Sequence, residues 1–197
     1  MSVKLTRREQ KQATRDTVRS AARDCFVERG FAATGIGDIA AAAGVAHGTF
    51  YIHYPSKEAV LDELLAELNA ELAARLAPVL GRAGGIEPAV RAAAGIFLDF
   101  CREHDRLVAC YIERAAGGLD PAAFRDGINP PVAALLRAAL SGAGPELDLV
   151  AHGLLAMWLR VALQHLAGGA SRASSVRILV AMTVGALRAV LDEENDR

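Results

Sequence analysis

The chain has 197 residues, of which 52% are hydrophobic and 23% charged, and its formal net charge is −1. That composition excludes a disordered chain, and the charge excludes a uniformly basic coat. Forty alanines against 5% aromatics favour helices, because alanine loses no side-chain entropy in a helix and lets helices pack closely.

In chain order, residues 1–10 read as a mobile arm. Lys11 to Arg29 has helical periodicity. Ala13, Val18 (or Thr17), Ala21, Cys25 and Val27 lie near one stripe, and Arg15, Arg19 and Arg23 at i, i+4, i+8 on another. Gly30 is placed to end this helix as a left-handed cap. A short helix is expected from about Ile36 to Ala43, then a tight turn Ala43-Gly44-Val45, then a second short helix from about Ala46 to His53. Tyr54-Pro55 breaks that helix, and Ser56 caps a long one to about Leu76. Pro78 and Gly81-Arg82-Ala83-Gly84-Gly85 form a linker.

Beyond the linker five more helices are expected. Ile86, Val90, Ala94, Phe97 and Cys101 form one stripe, and a short helix holds Leu107, Tyr111 and Ile112. A segment to about Leu140 bends at Pro130-Pro131, and Ser141 to Pro145 is a loop. Broad apolar helices then run from Glu146 to Leu166 and from about Ser174 to Leu191. No strand alternation persists, so the fold class is all-α: an N-terminal three-helix unit over residues 1–55 and a helical unit over 56–197, with 56–76 connecting them.

Charge is unevenly distributed. Residues 1–60 carry nine Lys/Arg against six Asp/Glu, and residues 61–197 carry thirteen against seventeen. A basic N-terminal portion suits a polyanion, although a solvated helix face reads the same way. Cys25, Cys101 and Cys110 are odd in number and lack CxxC spacing, and Met1 to Gln12 has no apolar signal region. Both features fit a reducing, cytoplasmic compartment. The uncharged run Ile39–Ser56 is too broken by glycine, histidine and proline to span a membrane.

Two short helices joined by a three-residue turn containing glycine make a helix-turn-helix. Gly44 can take the positive φ that such a turn needs, while Ile39, Ala40, Val45 and Phe50 can close the core between the helices. The second helix then presents its N-terminal residues outward, at a size that fits the major groove.

The stretch from Gly30 to Leu65 resembles the DNA-binding region of the tetracycline-repressor (TetR) family. The features that carry the resemblance are Gly30-Phe31, Ile39-Ala40, Ala43-Gly44-Val45, Gly48-Thr49-Phe50-Tyr51 and Ser56-Lys57-Glu58. The resemblance implies binding of double-stranded DNA. It places Lys57 and Tyr51 at phosphates, and His47, Thr49 and His53 at the groove or its walls, with Ala46 opening the recognition helix. Phe50 reads as core. Gly35 stands where the family has a Ser or Thr cap, and Gly37 where it has a polar residue able to reach a base. With Gly48, these leave a sparse reading surface that leans on His47, Thr49 and contacts to thymine methyls. Arg7, Arg8, Lys11 and Arg15 are candidates for further phosphate or minor-groove contacts.

No GxSxG, Walker loop or HExxH is present, so no catalytic residues and no cofactor are expected. Cys101, Glu103 and His104 form only a weak ligand set that reads as a solvated helix end, and no metal site is expected. Proteins of this type read near-palindromic sites as two-fold dimers. The last two helices, apolar on more than one side, are therefore expected to form a homodimer interface through Leu154, Val161, Leu179, Met182, Thr183 and Leu187. The resemblance further implies a ligand pocket. Its candidate lining is Phe97, Phe100, Cys101, Tyr111, Met157 and Trp158, which suits an uncharged or weakly polar organic molecule. The expected function is a ligand-released repressor. The alternative is a ligand-binding or protein-interaction module whose DNA binding is weak or vestigial, a reading kept open by the glycines at 35, 37 and 48.

Overall fold

The structure is a computed structural model describing residues 6–80, 84–116 and 145–195. Among these residues there are eight helices and no strand: α1 Arg7–Arg29, α2 Ile36–Ala42, α3 His47–His53, α4 Lys57–Leu80, α5 Ile86–Glu103, α6 Asp105–Ala116, α7 Pro145–Leu166 and α8 Arg172–Asn195. The bend expected at Pro130-Pro131 and the loop expected from Ser141 lie outside the described residues, as do the side chains of Val190 and Leu191. No described helix is long and apolar enough to cross a membrane.

The chain divides into two compact units. One contains the residues up to Glu67 together with α6 from Arg106, and the other contains Leu68–Asp105 with the last two helices. The division falls within α4 and not before it, so the start of α4 and most of α6 group with the helix-turn-helix.

In the first unit α1 begins four residues earlier than the apolar stripe suggested. Thr6 Oγ1 accepts from the Glu9 N–H at 3.3 Å, and Glu9 Oε2 accepts from the Thr6 N–H at 2.7 Å. This reciprocal capping box satisfies two otherwise unpaired donors, and its Thr-x-x-Glu spacing was visible in the sequence. Residues 7–10 are therefore helix and not arm. Gly30 does have a positive φ, +83°, but its ψ of 165° is extended and not left-handed helical. The unit closes around Val18, Ala22 and Phe26 of α1, Ile39 of α2, Phe50 of α3, and Val60 and Leu61 of α4, all fully buried.

In the second unit α4 continues through Pro78 to Leu80, past the stop expected at Leu76. Proline removes one N–H and crowds the preceding turn, and within the final turn so little helix follows that the chain tolerates it. α8 packs on α5 and α7. Val90, Val180 and Val184 form one core with Trp158 and Val176 against it, and Leu154 and Leu187 form another with Met157. α7 ends on Gly168 at φ +77°, with the Gly168 and Gly169 N–H groups donating to His165 O and Gln164 O. That is a Schellman cap.

Candidate nucleic-acid interface

The turn between α2 and α3 is built as the spacing required. Val45 N–H donates to Ala40 O at 3.0 Å and Gly44 N–H to Ala41 O at 3.1 Å, the paired bonds of a Schellman motif, with Gly44 at φ +67°. Any other residue would put a Cβ into a strained backbone there. α2 opens on Gly35, whose N–H donates to Asp38 Oδ2 at 2.9 Å. Asp38 is in turn held by Arg29 at 3.1 Å. The missing hydroxyl at Gly35 thus leaves half a capping box intact.

α3 is fixed from its inner side. Phe50 is fully buried and packs near Tyr51 and Tyr54. At 100° per residue, Gly48 and Ile52 lie opposite Phe50. Ile52 is 64% exposed and Tyr51 51% exposed, and nothing approaches within 4 Å of the point where a Gly48 or Gly37 Cβ would sit. Gly35, Gly37, Ala46, His47 and Gly48 are exposed, and Thr49 is half-buried. His47 and Tyr51 stack edge to face at 5.5 Å on one side of the helix. Ile52 was missed from sequence because an isoleucine beside Phe50 reads as core. The helical angle from Phe50 was the signal that could have found it.

Two residues expected at the DNA are occupied by the protein itself. Lys57 Nζ donates to Phe31 O and Thr34 O, both at 2.8 Å, and lies 4.5 Å over the Phe31 ring. It clamps the segment entering α2 to the start of α4 with two of its three ammonium donors. Arg15 donates to His53 O at 2.7 Å, satisfying a carbonyl at the end of α3, pairs with Glu63 at 2.5 Å and lies 4.2 Å over the Tyr54 ring. Arg19 pairs with Glu63 and Glu67, both at 2.9 Å. Arg15 and Arg19 of the α1 stripe are thus an internal tie to α4, with Glu63 paired to both guanidinium groups and Glu67 to Arg19. His53 is half-buried with its Nδ1 unpartnered. Burial pushes its pKa down, helped by Lys11 and Arg15. Arg7, Arg8, Lys11 and Arg23 stay exposed.

Two further ties hold the entry to α2. Thr34, fully buried, donates its hydroxyl toward Gly30 O at 2.7 Å and Cys25 O at 3.2 Å. Glu113 of α6 accepts from the Phe31 and Ala32 N–H groups at 3.1 and 3.3 Å. Those donors follow the end of α1 and have no helical partner of their own.

The residues expected to line a ligand pocket are divided between the two units. Phe97, Phe100 and Cys101 are core, and burial pushes the Cys101 thiol up to about 12. Trp158 meets the Phe97 ring at 5.4 Å, and its indole N–H donates to Thr183 Oγ1 at 2.8 Å. Met157 is half-buried against the Leu154–Leu187 core, and Tyr111 groups with the first unit.

The residues expected at a dimer face lie mostly on the inward sides of their helices. Leu154, Leu179, Thr183 and Leu187 are buried within the chain, Val161 is half-buried, and of the six only Met182 is exposed, at 50%. Leu179 and Thr183 sit one helical turn apart on the stripe that α8 turns to its own unit. The opposite stripe of α8, Ile178, Met182, Gly185 and Ala189, is exposed.

A helix-turn-helix with an exposed reading helix, joined through one continuous helix to an all-helical second unit, defines a class of helix-turn-helix proteins. Residues 18–64 match the family described as "Bacterial regulatory proteins, tetR family". A 40-residue segment is 52% identical to the HTH-type transcriptional repressor KstR2 of Rhodococcus jostii, covering 20% of each chain. The chain thus matches about a fifth of the length of that curated relative. Over its whole length it is similar in fold to a tetR-family regulator from Streptomyces coelicolor, at TM-score 0.69 and 20% identity, covering 100% of this chain and 86% of that one. It is also similar to RolR, solved in complex with resorcinol, at TM-score 0.68 and 21% identity, covering 93% and 90%. The family match thus covers residues 18–64, and over the rest of the chain the likeness is one of fold.

Proposed function

We propose that this chain is a cytoplasmic, dimeric DNA-binding repressor that is released from a near-palindromic operator by a small, uncharged or weakly polar organic ligand. The observation that carries the reading is the outward face of α3, where Gly48 and Ile52 stand opposite the buried Phe50 with His47 and Tyr51 beside them. A smooth, uncharged ridge of this kind suits close approach to base edges and thymine methyls. Affinity then comes from Tyr51, from the exposed Arg7, Arg8 and Lys11, and from the backbone N–H groups at the start of α4. The exposed stripe Ile178, Met182, Gly185 and Ala189 supports a dimer through α8. RolR, which is similar in fold, is solved with resorcinol, and this supports a small organic ligand. Release requires only that the ligand bind one arrangement of the two reading helices better than another, and it lowers DNA affinity by no more than that difference.

The engagement of Lys57 and Arg15 in internal contacts favours a second reading, an interaction module with weak DNA binding. Titration against the DNA flanking the gene, with scrambled competitor at low and moderate salt, separates the two. Competitor-resistant binding supports the repressor. Binding that scrambled DNA abolishes, at every flanking site tested, supports the module.

A further inference from the structure

We propose a divalent transition-metal site in the second unit, formed by Glu71 of α4 and by Glu103 and His104 at the end of α5. One ligand atom from each lies within 4.8 Å of the others. His104 Nε2 stands 3.8 Å from Glu71 Oε1 and 3.9 Å from Glu103 Oε1. The histidine supplies an observation independent of the acids. Its side chain is only 10% exposed, its Nε2 is buried with no hydrogen-bond partner, and that nitrogen points at the two carboxylates. A buried ring nitrogen without a partner is unusual, because desolvation is not repaid. A metal bond to Nε2 repays it.

The geometry is close to what such an ion needs. Zinc bonds of about 2.0–2.2 Å place tetrahedral ligands about 3.4 Å apart, so each histidine–carboxylate side shortens by roughly half an ångström, and the two carboxylate oxygens start within 4.8 Å of each other. The two carboxylates are exposed and can make that movement. The His104 ring is held against Phe100 at 4.5 Å between centroids. Arg75 donates to Glu103 Oε2 at 2.6 Å, to Glu103 Oε1 at 3.2 Å and to Glu71 Oε1. Each carboxylate oxygen has a second lone pair, so Arg75 serves as the outer partner that orients both ligands, as carboxylates at metal sites are commonly held. One imidazole nitrogen and two carboxylate oxygens select a borderline ion such as Zn²⁺ or Co²⁺ over Ca²⁺ or Mg²⁺. Three protein ligands leave a fourth position open to water or an oxygen donor. Cys101 takes no part, since it is buried in the core with its thiol protonated.

The site does not depend on the DNA-binding proposal, and its test needs no DNA. Full-length, tag-free protein is dialysed against chelator and titrated with Co²⁺ while visible absorption and bound metal are recorded. The expected result is one ion per chain with d–d bands, displaced by Zn²⁺ and unaffected by a large excess of Mg²⁺. His104→Ala should weaken Co²⁺ binding at least tenfold. Because His104 packs on Phe100, Glu71→Gln and Glu103→Gln are measured beside it. Both alter exposed side chains and should each weaken binding while helix content stays unchanged. No stoichiometric binding by the wild type, or binding that all three variants retain, overturns the site.

Discussion

Replacing Lys57 by methionine separates a structural clamp from a phosphate ligand. The ammonium makes two charge-assisted hydrogen bonds at 2.8 Å and sits 4.5 Å over Phe31. Hydrogen bonds to charged groups contribute about 1.5–3 kcal/mol each. The clamp is only part-buried, so the freed carbonyls rehydrate and the lower end of that range applies. Methionine keeps the packed stem of the side chain. The expected destabilisation is about 3 kcal/mol for the pair, with the ring contact adding roughly 0.5 kcal/mol. With a urea slope of about 2–3 kcal/mol/M, the midpoint falls by roughly 1.2–1.8 M. Urea unfolding followed by circular dichroism measures this. DNA binding measured in parallel should weaken while its salt slope is unchanged, because no phosphate contact is removed. If the midpoint does not move and the slope falls by about 0.9 per lost contact, Lys57 is a phosphate ligand and the clamp argument fails.

Truncating Ile52 to alanine removes the most exposed apolar group of α3. Stability should stay within about 0.5 kcal/mol, while operator preference changes at positions within its reach. A selection on randomised DNA that returns the same consensus for both proteins would contradict that role. The carboxylate of Glu63 is raised by burial and lowered more strongly by hydrogen bonds from Arg19 and Arg15, for a net lowering. A lowered folded-state value gives stability that is complete above the unfolded carboxylate value of about 4.3 and is lost as pH falls through the folded value. Glu63→Gln should therefore flatten the loss of stability below about pH 4.3, and an unchanged acid profile would show that the tie carries no linkage. For the α8 stripe, Ile178→Asp with Met182→Asp should give a monomer by sedimentation with helix content retained. A dimer that survives both charges must use another face.

Much of this protein is legible along the chain because its signals are local. The Ala43-Gly44-Val45 turn, the three-helix unit around it and the all-helical second unit follow from spacing, glycine chemistry and 3.6-residue periodicity. These depend on neighbours a few residues apart. The start of α1 was equally local and lay in Thr6 and Glu9, which an apolar stripe does not include. Tertiary structure decided which groups were already engaged. Lys57 looked like a phosphate contact because a lysine at a helix N-terminus is electrostatically free until a fold brings Phe31 O and Thr34 O to it from 26 and 23 residues away. Arg15 and Arg19 looked like a basic face until Glu63 met them from more than 40 residues away. Which apolar stripe of α8 faces inward was likewise undetermined, since periodicity fixes that two stripes are opposed and not which one meets the core. Leu179 and Thr183 were assigned outward for that reason. Glu71 joined Glu103 and His104 only when α4 and α5 came together. Helix formation is a short-range property of sequence, whereas the partner of a charge or of an apolar face is set by residues distant along the chain.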